Sequence, residues 1–292
     1  MNTITLSIAG FKIKLLSESG VKIGVEEGYL PFVISGHHED ADISIKTIEK
    51  KHLTGDYLSE KDLIFEAKDS HLKYYSIFRE DQGYKFFIYN QEGPNTIQQL
   101  AYLDEGLTTW TVYAGPSGPG KEIFPLLYPL GPLVLYYLTV KFEAIMIHAS
   151  GILDGKKGRL FTGFSGTGKS TMANLWLKSG SSVINDDRLI IRAAKTGFVI
   201  HNTPMFYADS PKVAPLHTIN LIKHAQKNEV TRLNGANAVS GLMAYCIQHS
   251  YDQGYIEHHL DFLAGLCSQL PVYEVGFTPH LEIVGFIKTY AV

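Results

Sequence analysis

Two short stretches of this chain follow a pattern that can hold phosphate, GPSGPGKE at 115–122 and GFSGTGKS at 163–170. Both read Gly-x-Ser-Gly-x-Gly-Lys. A phosphate loop needs successive backbone N–H groups converging on the anion, a lysine that reaches the outer phosphates and a hydroxyl for Mg²⁺, all at a turn from strand into helix. The second stretch supplies each part. GRLFT reads as the strand, Gly163 and Gly168 permit the tight loop, Lys169 brings the charge and Ser170 the hydroxyl. The helix that follows lends the positive end of its dipole. The expected nucleotide-binding set is therefore Gly163, Phe164, Ser165, Gly166, Thr167, Gly168, Lys169, Ser170 and Thr171. The first stretch fails the same tests. Pro116 and Pro119 have no N–H to donate, Glu122 replaces the hydroxyl with a negative charge, and Pro125 follows before a helix can establish. It reads as a linker.

An acidic pair, Asp186 and Asp187, ends the strand-like SSVINDD. Transfer of a phosphoryl group from ATP asks a protein for positioning, charge neutralisation, a metal anchor and a base near the attacking hydroxyl. Neighbouring residues in a strand point to opposite faces, but twist at a strand end lets both carboxylates approach one site. Asp186 is assigned as the base and Asp187, with Ser170, as the Mg²⁺ ligand. The reverse assignment is equally compatible with the sequence, and a solvated acidic strand end is the competing reading.

His148 closes the apolar run IMI. A histidine there serves either as a hydrogen-bonded core residue or as a catalytic group that tunes the base or meets the transferred phosphoryl group. His201, Asn202, Thr203 and Asp209 are candidates for the substrate side, although a turn rich in Asn, Thr and Pro needs no function to explain it. HHED at 37–40 and EHHLD at 257–261 lack a spacing that puts two metal ligands on one face beside a third. Both read as exposed polar segments.

The segment IMIHASGILDGKKGRLFTGFSGTGKSTMANLWLKSGSSVINDDRLII resembles the core of the HPr kinase/phosphorylase family, bacterial serine kinases related in fold to ATP-dependent phosphoenolpyruvate carboxykinase. The resemblance covers about residues 144 to 192. It rests on a histidine before the phosphate loop, the loop itself and an Asp-Asp pair ending the strand after the loop's helix. Here these are His148, 163–170 and Asp186-Asp187. The chain departs from the family at Thr171, where its kinases usually carry Glu, and in lacking their Arg-Gly signature downstream. HNTPMFYADSPKVAPL stands there instead, and is similar to HPr-kinase-related proteins, some of which phosphorylate a hydroxyl of a ribosomally made peptide. The resemblance implies a Mg²⁺- and ATP-dependent phosphotransferase acting on a peptide or protein serine. A small-molecule kinase and a non-catalytic nucleotide-binding regulatory module are the alternatives.

The elements that must hold these residues fall into two groups. Up to about residue 114 the pattern has period two, in ITLSIAG, FKIKLL, FVISG, ADISIKTI, KYYSIFR, YKFFIYN and WTVYAG, split by turn signals. This predicts a β-rich N-terminal domain over 1–120 that recognises a partner or substrate. An α/β P-loop domain with a mixed sheet is expected over 121–292, and the resemblance implies that it is of the phosphoenolpyruvate carboxykinase/HPr kinase type. In it LVLYYLTVKFEA reads as a buried helix, IMIHASGILD as a strand, and KSTMANLWLKSG as a helix with Met172, Leu175 and Trp176 on one face. RLIIRAAKTGFVIHN reads as a hairpin, and GANAVSGLMAYCIQHS and YIEHHLDFLAGLCSQL as helices.

Bulk properties bound the partners. Of 292 residues 45% are hydrophobic and 19% charged, the composition of a folded globular chain, and a net charge of −3 with scattered basic residues offers no nucleic-acid footprint. The two cysteines, Cys246 and Cys267, suit buried thiols rather than a disulfide framework. The longest apolar run, 126–140, contains Pro129, Gly131 and Pro132 and falls short of the ~18 residues of a membrane span. The N-terminus alternates like a strand and lacks the layout of a signal peptide, so a cytoplasmic location and no membrane partner are expected. An oligomer is compatible with all of this.

Overall fold

A computed structural model of the chain describes residues 3–18, 20–35, 40–50, 52–53, 62–90, 96–118, 120–205, 209–249 and 251–290. They form a mixed α/β protein of two compact units, Met1–Lys141 with Pro204–Ser210, and Phe142–Thr203 with Pro211–Val292. Among them no helix is long and apolar enough to cross a membrane.

The first unit is built on nine strands: β1 (Thr3–Ile8), β2 (Phe11–Ser17), β3 (Val33–Ile34), β4 (Ile43–Glu49), β5 (Leu63–Lys68), β6 (Lys73–Glu80), β7 (Gly83–Tyr89), β8 (Ile97–Asp104) and β9 (Thr109–Ala114). They form one sheet in the order β3-β1-β2-β4-β9-β8-β7-β6-β5. The helix α1 (Leu130–Lys141) covers it. Successive strand residues face opposite sides. Phe86 of β7 therefore meets Tyr137 of α1, with ring centroids 5.5 Å apart, and Trp110 of β9 meets the same tyrosine at 5.6 Å. Phe87 turns the other way, into a cluster with Phe78, Tyr89 and Leu100.

The division at Lys141 and Phe142 corrects the boundary expected near 120. An all-round apolar helix says only that it is buried, and here its ring contacts are made with the first sheet. GPSGPGKE is accordingly a turn inside the first unit rather than a linker: Ser117 and Gly118 donate to the Glu122 carbonyl at 2.9 and 3.0 Å. β5 and β8 escaped the sequence reading, since LIFEAK and IQQLAYLD interrupt the alternation with adjacent apolar or adjacent polar residues.

The second unit contains β10 (Ala144–Asp154), β11 (Lys157–Thr162), α2 (Lys169–Lys178), β12 (Ser182–Asn185), β13 (Arg188–Ala193), β14 (Phe198–Asn202), β15 (Val213–His224), β16 (Glu229–Leu233), α3 (Gly235–Met243), α4 (Gln253–Gln269), β17 (Val272–Phe277) and α5 (Glu282–Tyr290). Its strands run β11-β10-β13-β14-β15-β17-β16, with β12 paired to β10. A further pairing of β11 with β15 closes a ring of five strands through β10, β13 and β14. Two long strands make this closure. β10 gives its first half to β13 and its second half to β11 and β12, and β15 gives its start to β14 and its end to β11 and β17.

One apolar cluster inside this unit packs β10, β11, β13, β14 and β15 against α3 and α4, and a second packs Phe161, Met172, Trp176, Phe277 and Ile287. The hairpin expected at 195–197 is present, with Ala194 donating to the Gly197 carbonyl at 2.9 Å. The helix expected over 235–250 stops at Met243, and Cys246 lies in a bridge to Ile147 rather than in a helix. Both cysteines are free, Cys246 buried and Cys267 half-buried. EHHLD is not a wholly exposed segment, because it lies in α4 and His259 is fully buried. His37, His38 and Glu39 of HHED lie outside the described residues.

Candidate functional site

The stretch 163–168 joins β11 directly to α2. Trp176 and Met172 bury one face of α2, and Trp176 lies 5.8 Å from Phe161 of the strand before the loop, so strand and helix are fixed to each other across the turn. Gly166 and Gly168 hold φ of 82° and 95°, left-handed values that side chains disfavour. A Cβ on Gly163 would stand 2.6 Å from Thr167 Oγ1 and 2.7 Å from the Ile222 carbonyl oxygen. The loop thus admits only glycine at its entry. No side chain caps α2 and no acid occupies its first turn, which leaves the first-turn amides and the dipole for an anion. Ser170 and Thr171 sit exposed in that turn, as does Ser165 in the loop.

Lys169 is buried, and its Nζ donates to the Gly163 and Phe164 carbonyls at 2.9 and 3.1 Å. Burial holds the ammonium below the ordinary lysine value, while Asp186 and Asp187 pull it back up. Thr167 braces the loop, its Oγ1 donating to Phe164 O at 2.8 Å. Phe164 is exposed, and its ring meets Tyr245 edge-on at 5.1 Å.

Asp186 and Asp187 follow the last residue of β12 and precede the first of β13, and both strands run antiparallel to β10, on either side of the pair. Asn185 makes this break in the ladder stable. Its Oδ1 accepts from the amides of Asp186 and Asp187 at 2.6 and 3.0 Å, and its Nδ2 donates to Thr203 O at 3.3 Å. The ladder resumes where Ala149 N donates to Asp187 O at 3.0 Å. Between the two strands, the pleat does not force the two side chains to opposite faces, and both carboxylates act electrostatically on Lys169 and on His148.

Ser150, fully buried on β10, donates from Oγ to Asp186 Oδ1 at 2.5 Å. His148, two residues earlier on the same strand, places Nε2 3.5 Å from Asp187 Oδ1, and Arg188 NH1 lies 3.7 Å from the other oxygen. Burial, followed by the Lys169 charge, keeps His148 below the usual histidine range, with Asp187 opposing. Burial and the lysine charge thus favour the neutral imidazole. Its backbone is fixed too, since His148 N donates to Tyr245 O at 3.0 Å and Thr162 Oγ1 donates to His148 O at 2.8 Å.

The structure thus brings Lys169, His148, Asp186 and Asp187 together at the mouth of the loop. The other candidates have structural duties. Asn202 is buried, and its Oδ1 accepts from Lys212 N at 2.7 Å; Thr203 is buried and donates to Arg188 O at 3.0 Å. His201 lies in β14 between Ile190 and Val213, and burial, with Arg192 adding to it, pushes its pKa down to about 4. Asp209 groups with the first unit. Sequence reasoning passed over Ser150 and Asn185. The i, i+2 spacing from His148 was a usable signal for Ser150, since both fall on one face of a strand.

GPSGPGKE carries its own anion. Gly120 N donates to Glu122 Oε2 at 2.8 Å, and the same carboxylate pairs with Lys22.

No family model matches the chain, and no curated protein does. Among solved structures it is similar to the HPr(Ser) kinase/phosphatase from Coxiella burnetii, at 14% identity and a TM-score of 0.28, over 49% of this chain and 91% of that one. At that score the likeness carries no argument about function.

Proposed function

We propose that the chain is a kinase that moves the γ-phosphoryl group of ATP to a hydroxyl, that of a serine in a peptide or protein. The observation that carries the reading is the convergence of two carboxylates and a neutral imidazole on the lysine of a phosphate loop. A loop that only senses nucleotide needs the lysine and the amides. It has no use for a carboxylate held by a buried serine beside them. The motif resemblance over 144–192 points the same way.

Asp186 is the base, accepting the proton of the acceptor hydroxyl as that oxygen bonds to phosphorus and the bond to the β–γ bridging oxygen breaks. Ser150 orients it. Lys169 balances charge on the outer phosphates. Mg²⁺ fits the residues present, because the hydroxyl of Ser170 and the carboxylate of Asp187 are the hard oxygen donors this ion prefers. Bound there, it would neutralise charge on the phosphate oxygens. Neutral His148 holds Asp187 in place without competing as a cation.

The test is transfer of labelled phosphate from ATP to a library of serine-containing peptides, alongside free amino acids and sugars. Label on peptide serine is the expected result. Label confined to small molecules gives the site a different acceptor, and binding of ATP with no transfer to any acceptor makes the protein a regulatory module.

A further inference from the structure

The second unit has an open cavity of about 780 Å³ apart from the His148 and Asp186 cluster, lined by Lys223, His224, Ala225, Gln226, Lys227 and Glu229. The cavity sits past the C-terminal end of β15. β11, β15 and β17 are neighbouring parallel strands, and ligands of such sheets lie beyond the carboxyl ends. The phosphate loop leaves β11 at this same end.

β11 has β10 on one flank and β15 on the other. The candidate base, its serine and His148 stand on the β10 flank. A nucleotide with its terminal phosphoryl group toward Asp186 therefore extends its remaining mass toward β15. There, His224 Nε2 donates to Gly166 O at 2.9 Å, joining the cavity wall to the loop. The exposed imidazole lies nearly parallel to Phe277, with centroids 6.2 Å apart and an interplanar angle of 20°. The wall is fixed as well. Ala225 N donates to Phe277 O at 3.2 Å, and Asn228 Oδ1 accepts from Thr278 N and Oγ1 at 3.0 and 3.3 Å. Lys223 is tied to Glu274 at 2.5 Å, while Gln226 and Lys227 are exposed.

Resting on the phosphate-loop reading above, we infer that this cavity takes the nucleoside end of the donor. The base continues the His224–Phe277 stack, and Lys227 faces the sugar and the phosphate nearest it.

Calorimetric titration with ATP and with inorganic tripolyphosphate tests this, because both fill the loop and only one carries a nucleoside. In the wild type ATP binds more tightly than tripolyphosphate. His224→Ala weakens ATP by ~10-fold, the scale of one lost base stack, and narrows the gap between the two ligands. Gln226→Trp, at an exposed wall position that bonds nothing in the loop, fills the cavity and narrows it in the same way. Equal wild-type affinities, or variants that weaken both ligands in proportion, overturn the inference and make His224 a brace for Gly166. Failure of both ligands to bind the wild type removes the phosphate-loop reading itself, and the inference with it.

Discussion

His148 Nε2 and Asp187 Oδ1 lie 3.5 Å apart, a neutral imidazole against a carboxylate that Arg188 also approaches. The contact orients without supplying charge. His148→Ala is therefore expected to lower phosphoryl transfer by roughly 10- to 100-fold, the cost of losing a partner that orients a ligand carboxylate. ATP affinity, read by calorimetry in the same variant, stays at the wild-type value. A fall in ATP affinity of the same size would put His148 in nucleotide binding.

The two carboxylates separate by what they fail to do. Asp186→Asn lowers the turnover rate by ~10²- to 10⁴-fold, as removal of a general base does, with ATP and Mg²⁺ binding intact. Asp187→Asn raises the Mg²⁺ concentration needed for half-maximal rate. Metal titrations of transfer in both variants decide the assignment, and an exchange of the two phenotypes reverses it.

Lys169→Ala abolishes ATP binding, because the charge on the outer phosphates goes with it. Lys121→Ala leaves ATP affinity unchanged, since Glu122 already meets the amide of Gly120 and excludes a second anion. Equal losses from both would return GPSGPGKE to the list of phosphate sites.

Acid should destabilise the fold through its buried histidines. Burial pushes His249 down to about 4, and His201 also to about 4, each below the ordinary 6.5. Between those values the unfolded chain binds more protons, so stability is full above about pH 6.5 and is lost as pH falls toward 4. For His249 the loss is of order 3 kcal/mol. His249→Phe keeps a ring beside Tyr251 without a proton to take up, and urea unfolding at pH 7 and pH 4.5 should differ less in it than in the wild type. A difference of the same size in both would clear His249 of any part in the acid response.

The loop and its helix were legible in the sequence because each is a local pattern: three glycines, a lysine and apolar positions at helical spacing. The hairpin at 195–197 was legible for the same reason. Asp186 and Asp187 could be named from their order in the chain, but not how they reach one site, since that depends on Asn185 accepting two amides between β12 and β13. Ser150 was hidden by chemistry, for a serine in an apolar strand declares itself only when its partner is placed. The unit boundary failed for a different reason. Burial of α1 is written in its composition, while the choice of sheet is written in Phe86 and Trp110, far away in the chain.

The closure of β11 on β15 also bears on when the site comes into being. The Asn220 side chain bonds Leu160 O across 60 residues of chain, and every residue pair along that seam is about as distant. Such long loops must close before their contacts are rewarded, which makes this pairing a slow event in folding. β11 has no second neighbour until then, and the phosphate loop at its end has nothing to hold it on the β15 flank. Nucleotide binding should thus be acquired late, after the local β13–β14 hairpin, and amides of β15 should exchange with solvent only when the whole unit opens.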